Sequence, residues 1–376
     1  MAKVKITGHA SGSGVLTVTA PNTSTNRTIT LPDATGTLLN TNGSAASLTA
    51  IPAAQVTGTL PAISGASLTN IPPQGRKNII INGDFRTNQY GLTASTVAVT
   101  NGAFNIDRAK NYLVGVSGTV ALGDAEAVNG TYETPLKYTA GSTASGRLGL
   151  YQTVEDYHLG ETLTASAWVK SDNANARIVA YDGSTETSSN THTGGGGWEL
   201  LKVTFSQRTN ASQLYIWTAI ISATVGSVSV ASGDYIFITK FQCERGSVAT
   251  EFERLTNAEQ LSLCQRYYYL HATKEGGAHP IGSAAFQSTN FADFNLHFPT
   301  TMRTKPTLQY VSGTDYYTVY ANDQLDHFSD FATRNTSPNA AQIYTNGGMG
   351  TGIAAGHAGV CYTRNVNAFM AFTAEL

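Results

Sequence analysis

The side chains able to do acid–base or metal chemistry are sparse in this sequence. Its eight histidines fall into no HExxH or HxxEH spacing, the arrangement that presents two imidazoles on one helix face to a zinc ion. Asp293 with His297, and Asp326 with His327, pair an acid with an imidazole, but no third member stands close by in sequence. Glu155 with Asp156, and Glu251 with Glu253, are the paired carboxylates that a glycosidase divides into acid and base or nucleophile. Such pairs are more often surface or structural features, and no GxSxG nucleophile elbow accompanies them. Cys243, Cys264 and Cys361 are odd in number and form no CxxC, which argues against a disulfide framework or structural zinc. The run Asn346-Gly347-Gly348-Met349-Gly350-Thr351-Gly352 lacks the Lys-Ser/Thr of a phosphate-binding loop. Asp84 alone falls short of the roughly six to eight oxygens that calcium requires. The expectation is a protein without enzymatic activity, cofactor or metal ion.

Aromatic side chains offer a different chemistry. A flat ring stacks on the apolar face of a pyranose while neighbouring Asn, Asp, Gln and Arg bond the hydroxyls. Trp168, Trp198, Tyr215 and Trp217 are the candidate carbohydrate-binding residues. Tyr316, Tyr317 and Tyr320 are candidates for a receptor-binding tip, because tyrosine among Asn and Ser combines rigid contact area with adaptable hydrogen bonds. For each, the competing reading is a residue of a β-sandwich core.

The elements that must position these residues follow from composition. All 14 Phe, 18 Tyr and 3 Trp lie at or after Phe85, so the preceding stretch lacks the side chains that supply most core area. Charged residues make up 13% of the chain and the formal net charge is -2. Ordinary domains carry about 25% charged residues, so the surface here is built from Thr, Ser, Asn and Gly. The near-neutral balance argues against nucleic-acid binding, which needs a basic stripe. No apolar run approaches the roughly 18 residues of a membrane span, and no apolar segment follows the lysines of MAKVKITGHA.

Residues 1–75 contain only Lys3, Lys5, Arg27 and Asp33 as charged side chains. Val15 to Thr19 and Arg27 to Leu31 alternate as two short strands, and Pro32-Asp33-Ala34-Thr35-Gly36 follows as a turn. Ala46-Ser47-Leu48-Thr49-Ala50-Ile51-Pro52 recurs 20 residues later as Ala66-Ser67-Leu68-Thr69-Asn70-Ile71-Pro72. Extended, aromatic-free chain of this kind is disordered alone or obtains a core from copies wound around a common axis. Val15, Val18, Ile29, Leu31, Leu48, Ile51, Leu68 and Ile71 are the residues expected to serve attachment and that axis.

After Arg76-Lys77 short apolar runs alternate with Gly, Asn and Ser clusters, the pattern of a β-sandwich. Candidate strands are Leu163 to Val169, Leu200 to Phe205, Leu214 to Ile221 and Tyr235 to Phe241, the third apolar on both faces and so central. Thr256-Asn257-Ala258-Glu259 is a capping box that predicts a helix continuing to Leu270, with Ala258, Leu261, Cys264 and Tyr268 as its apolar stripe. From Pro280 to Leu376 the strand pattern returns.

Three stretches carry a family resemblance. "SGSGVLTVTAPNTSTNRTITLPDATGTLL", from Ser11 to Leu39, resembles the amino-terminal, virion-attaching segment of bacteriophage fibre proteins, most specifically at Ile29 to Leu38. Asn82-Gly83-Asp84-Phe85, Asp107-Arg108, Ser166 to Lys170, Trp198 with Val203-Thr204-Phe205, and Phe241 to Arg254 resemble the carbohydrate-binding-module-like jelly rolls of phage tail fibres. Where those often have Trp after Asp-Arg, this chain has Ala109. "ERLTNAEQLSLCQRYY" and the closing "FTAEL" resemble the fibre junction and distal end.

The resemblance implies an all-β, elongated homotrimeric fibre: residues 1–40 a virion-attachment β segment, 41–77 a repeat-bearing shaft, 78–254 a jelly-roll β-sandwich, 255–275 a linking helix, and 276–376 a C-terminal β-sandwich tip. Implied partners are two further copies, a tail adaptor, portal or other virion protein, and a host surface glycan or protein, with no nucleic acid and no membrane insertion. The implied location is the exposed tail of the virion. A head fibre or capsid-decorating protein is the first alternative, a polysaccharide-depolymerising spike the second.

Overall fold

The computed structural model describes residues 11–13, 24–25, 76–155, 158–273, 278–346, 349 and 353–376. The attachment and axis candidates Val15, Val18, Ile29, Leu31, Leu48, Ile51, Leu68 and Ile71 lie outside the described residues. The chain divides into two compact units, Met1–Ser67 and Leu68–Leu376.

Two antiparallel sheets face each other across a core. The first orders Val97–Ala98, Gly118–Leu122, Leu136–Ala140, Tyr235–Arg245, Thr162–Ser171 and Trp198–Ser206. The second orders Glu186–Ser188, Ala176–Tyr181, Tyr215–Ile220, Ala144–Thr153, Ala109–Val114 and Phe104–Ile106, with Val228–Val230 added beside Ala144–Thr153. Period-two alternation sends Leu163, Ala165, Ala167 and Val169 inward against Leu148, Leu150, Ile178 and Ile216, all fully buried in one cluster. This is the expected β-sandwich, with the 215–220 strand central in its sheet; its inward residues meet the opposite sheet, and its outward residues are packed by side chains of the same sheet rather than by a second layer.

The opening and closing motifs of the sandwich clasp each other. Ile79 N donates to Cys243 O at 2.7 Å and Phe241 N to Gly83 O at 2.8 Å. A Cβ on Gly83 would stand 1.8 Å from Phe241 O, so only glycine admits this approach. The Glu253 carboxylate accepts from Lys77 N and Asn78 N, while Asn78 Oδ1 accepts from Cys243 N. Asn82, in the left-handed region at φ 60°, takes Thr87 N and Gln260 Nε2 on its side-chain oxygen. Opposite them a bulge between Thr239 and Gln242 puts Lys240 at φ 51° and its ammonium on Val128 O.

The helix spans Asn257–Gln265 and begins with the expected reciprocal capping box of Thr256 and Glu259. Its end and its buried face differ from expectation. Tyr268 opens a strand, Tyr268–Ala272, and Leu261 is 38% exposed. Gln260 and Cys264 are the buried helix residues; Gln260 Nε2 reaches Asn82 and Asp84, a hydrogen-bonded contact that apolar periodicity does not register.

Beyond the helix, a three-stranded sheet (Tyr268–Ala272, Met370–Thr373, Thr307–Tyr310) and a seven-stranded sheet share a second core. The larger sheet orders Gln324–Phe328, Tyr317–Ala321, Ala358–Thr363, Pro280–Phe286, Ala292–His297, Ala340–Asn346 and Asp330–Thr336. Phe294, Phe328, Phe331 and Tyr317 fill that core with edge-on and stacked rings 4.6–6.2 Å apart. It meets the first sandwich where Tyr90 stacks on Tyr268 at 4.0 Å, the Arg108 guanidinium lies 3.6 Å over the Tyr267 ring, and Arg108 pairs with Glu375.

Candidate functional site

The seven-stranded side of the first sandwich has an outward face paved with rings. Lys110, Tyr151, Trp217 and Val179 stand in one cross-strand row. Tyr215 and Tyr181 stand in the next row, and Tyr112, Gly149, Ala219 and Arg177 on the other side. Each strand contributes through the same i, i+2 rule that sends the intervening residues into the core. Trp217 is the hub, with ring centroids 5.9 Å from Tyr112, 5.6 Å from Tyr151, 6.0 Å from Tyr181 and 5.5 Å from Tyr215. The Tyr181 and Tyr215 rings are nearly parallel, 9° apart. Beneath them Val179, Ala219 and Ile221 are fully buried. The four tyrosines are half-buried, edges packed and remaining ring surface open to solvent.

Gly149 and Ala219 keep the floor low. A Cβ on Gly149 would lie 2.5 Å from Thr218 O, so the backbone of the neighbouring strand reserves this position for glycine. The polar atoms around the rings are incompletely used. Trp217 Nε1, Arg147 Nε and Arg177 Nε are buried and have no acceptor among the described residues. An unmet buried donor costs about 1–3 kcal/mol. Burial, with the adjacent Tyr215 and Tyr112 hydroxyls, raises the Tyr151 phenol, so it acts as a neutral hydrogen-bonding group.

The four carbohydrate-binding candidates are not one site. Tyr215 and Trp217 belong to this face, whereas Trp168 and Trp198 project from the opposite sheet. There Trp198 packs on Phe237 at 6.4 Å beneath Lys170, whose ammonium pairs with Glu126 at 2.8 Å. Trp168 lines a separate hollow of about 370 Å³ with Leu200, Lys240, Phe252 and Arg254. The hairpin Glu126–Val128/Thr131–Glu133 is tied down near that hollow through Lys240 to Val128 O, which partly roofs the face.

The tip candidates also divide. Tyr317 is fully buried, its hydroxyl 2.8 Å from Val311 O and 3.0 Å from Phe369 O; it is a core residue and cannot meet a receptor. Tyr316 is half-buried against the same core. Tyr320 is 42% exposed, donates to Asp323, and shares a cross-strand row with exposed Leu325 and Val360. Strand alternation separates Tyr317 from Tyr320, since an odd offset places them on opposite faces.

Of the paired carboxylates, Asp156 lies outside the described residues. Glu155 accepts from Arg266 and from the Tyr267 hydroxyl; burial works to raise its pKa, and these bonds outweigh it and hold the carboxyl below its ordinary range. Glu253 secures the clasp described above, and Glu251 is exposed. Asp84 is buried between Arg86, Arg254 and Gln260. Among the described residues no group of three or more His, Cys, Asp or Glu is placed to hold a metal ion.

Tyr112, Tyr151, Tyr181, Arg147 and Arg177 are absent from the sequence-derived candidates. Each stands at an outward, alternate position of its strand, which sequence records; that their strands lie side by side is a matter of pairing across long separations.

No family model matches the chain, and no curated protein does. Among solved structures it is similar to the enzymatically active domain of tailspike protein 4 from bacteriophage CBA120, with 13% identity over 45% of this chain and TM-score 0.30. The match covers 21% of that tailspike chain. It is similar to TmCBM61, solved with β-1,4-galactotriose, with 17% identity over 39% of this chain and all of that one, TM-score 0.27. The tandem CBM22-1–CBM22-2 of Paenibacillus barcinonensis Xyn10C shares 12% identity over 75% of this chain and 97% of that one, TM-score 0.25. Likenesses of this size say nothing of what this chain binds.

Proposed function

We propose that this chain is a non-enzymatic recognition protein of a bacteriophage particle, holding a glycan on the outward aromatic face of its first sandwich. The observation that carries the reading is the convergence of Tyr112, Tyr151, Tyr181 and Tyr215 around Trp217, with an unmet indole N–H among them. An outward face so rich in rings, with open area and unmet donors, suits stacked sugar rings with hydroxyls bonded at their edges. The virion assignment rests on the Ser11 to Leu39 resemblance and on a repeat-bearing, aromatic-free stretch that suits attachment and assembly from three copies.

Binding of the full chain to a glycan array tests the site. Tyr181→Ala and Tyr215→Ala should each weaken glycan binding by about tenfold, roughly the 1.4 kcal/mol appropriate to one ring contact. Trp168→Ala should leave it unchanged. Unaltered affinity in both tyrosine variants would reject the face. Chemical cross-linking of the full chain should give trimers, and a stable monomer would reject the fibre assembly.

A further inference from the structure

Two arginines frame the aromatic face. Arg177 stands in the Tyr112–Gly149–Ala219 row at one flank, and Arg147 lies two residues along the strand from Gly149, on the same face. With strands about 4.8 Å apart and about 3.3 Å per residue, both long side chains can reach over the low floor between them. Arg147 is oriented by Tyr112, whose hydroxyl accepts from its Nη1 and whose ring lies 5.6 Å from its guanidinium carbon. The Arg177 side chain has no hydrogen bond or ion pair among the described residues.

Other charges on the face do not answer them. Lys110 donates to Leu376 O at 3.0 Å, and Glu186 sits beside Tyr181 on the edge strand, exposed. Arg177 stands beside Ala219 in the row that borders the Trp217 row. Neither guanidinium has a carboxylate partner among the described residues, and Arg147 has only the Tyr112 hydroxyl as an acceptor. Guanidinium forks match planar carboxylates two bonds at a time.

We infer that the glycan taken by this face is acidic, its carboxylate held by Arg147 and Arg177 while its ring lies on the tyrosines that flank Trp217. The inference rests on the glycan-binding reading of the face. A neutral glycan would leave the positive charge of the two guanidiniums uncompensated, whereas a uronic or sialic acid residue supplies the planar anion that pairs with it. Ring and carboxylate are attached to one another in such a sugar, so the stacking and ionic contacts are made together.

The test is a panel of acidic and neutral saccharides (oligogalacturonate, alginate, hyaluronan and sialyllactose beside galactan, mannan and β-glucan) probed with the full-length protein. Every acidic binder is measured again after reduction of its carboxyl groups. Acidic members should bind best, carboxyl reduction should cost about tenfold or more, and Arg147→Gln and Arg177→Gln should each cost a similar factor, as expected for charge-assisted bonds. Neutral members binding best, or carboxyl reduction without effect on the wild-type protein, overturns the inference and leaves the aromatic face standing if Tyr181→Ala still weakens binding. Absence of binding to every member overturns the face and the inference together. The reduced-ligand comparison needs no variant, so it decides even where an arginine variant fails to fold.

Discussion

Tyr317 and Tyr320 show how a shift along a strand decides what a side chain does. Three residues apart, they point to opposite faces, one into a core of Phe328 and Phe331 and the other to solvent. Tyr317→Phe deletes a buried hydroxyl that serves two carbonyls, and should lower unfolding free energy by about 1–3 kcal/mol without changing ligand or host-cell binding. Tyr320→Ala should leave stability within about 0.5 kcal/mol, since only the bond to Asp323 is lost. Urea denaturation of both variants checks the pair; equal losses would mean that the register of the Tyr317–Ala321 strand is wrong. Among the aromatic candidates, residue type named a chemistry each ring could do, while exposure depended on neighbours far away in sequence.

At the scale of elements, the most specific motifs of the sandwich turn out to be structural. Asn82-Gly83-Asp84-Phe85 and the Phe241 to Arg254 stretch sew the first strand region to the last, through Gly83 against Phe241 O, Asn78 against Cys243, and Glu253 against Lys77 and Asn78. Gly83→Ala forces backbone apart at this closure and should cost about 3 kcal/mol or more, at the upper end for single substitutions. Differential scanning calorimetry would show it as a lowered transition; an unchanged transition would contradict the clasp. Helix start was legible from the capping box because its signal is local. The helix end was not, because Tyr268 leaves the helix for strand pairing with Thr373, more than a hundred residues away.

At the scale of the whole molecule, the second sandwich is joined to the first through a buried acidic corner. Asp107 accepts from Gln89 N and Gln89 Nε2, and Gln89 Nε2 in turn donates to Tyr268 O. Burial pushes the Asp107 carboxyl up to about 6, with the Gln89 bonds pulling down and Glu375 adding to the rise. A carboxyl raised on folding binds its proton more tightly in the native state, so its contribution is full below the ordinary carboxylate range near pH 4 and is lost as pH rises to about 6. About two pKa units amount to roughly 3 kcal/mol. Asp107→Asn should therefore gain stability relative to wild type by about that amount between pH 4 and pH 7. Denaturation of both proteins across this range measures the difference, and a pH-independent difference would exclude Asp107 as its source.

Composition and periodicity alone determined that the chain is nearly all β, that its aromatic residues begin at Phe85 and its charged residues become frequent after Arg76, that the 215–220 strand is central and mostly buried, and that a capped helix starts at Thr256. These are local properties: alternation of two, turn residues at intervals, a side chain bonding the backbone three residues on. Only tertiary structure decided that Trp168 and Trp198 look away from Tyr215 and Trp217, and that Tyr112 from one strand, Tyr151 from another and Tyr181 from a third surround Trp217. The physical reason is that alternation tells which residues share a face of one strand, whereas the face of a sheet is composed by strand order, and strand order is chosen by burial of the whole core.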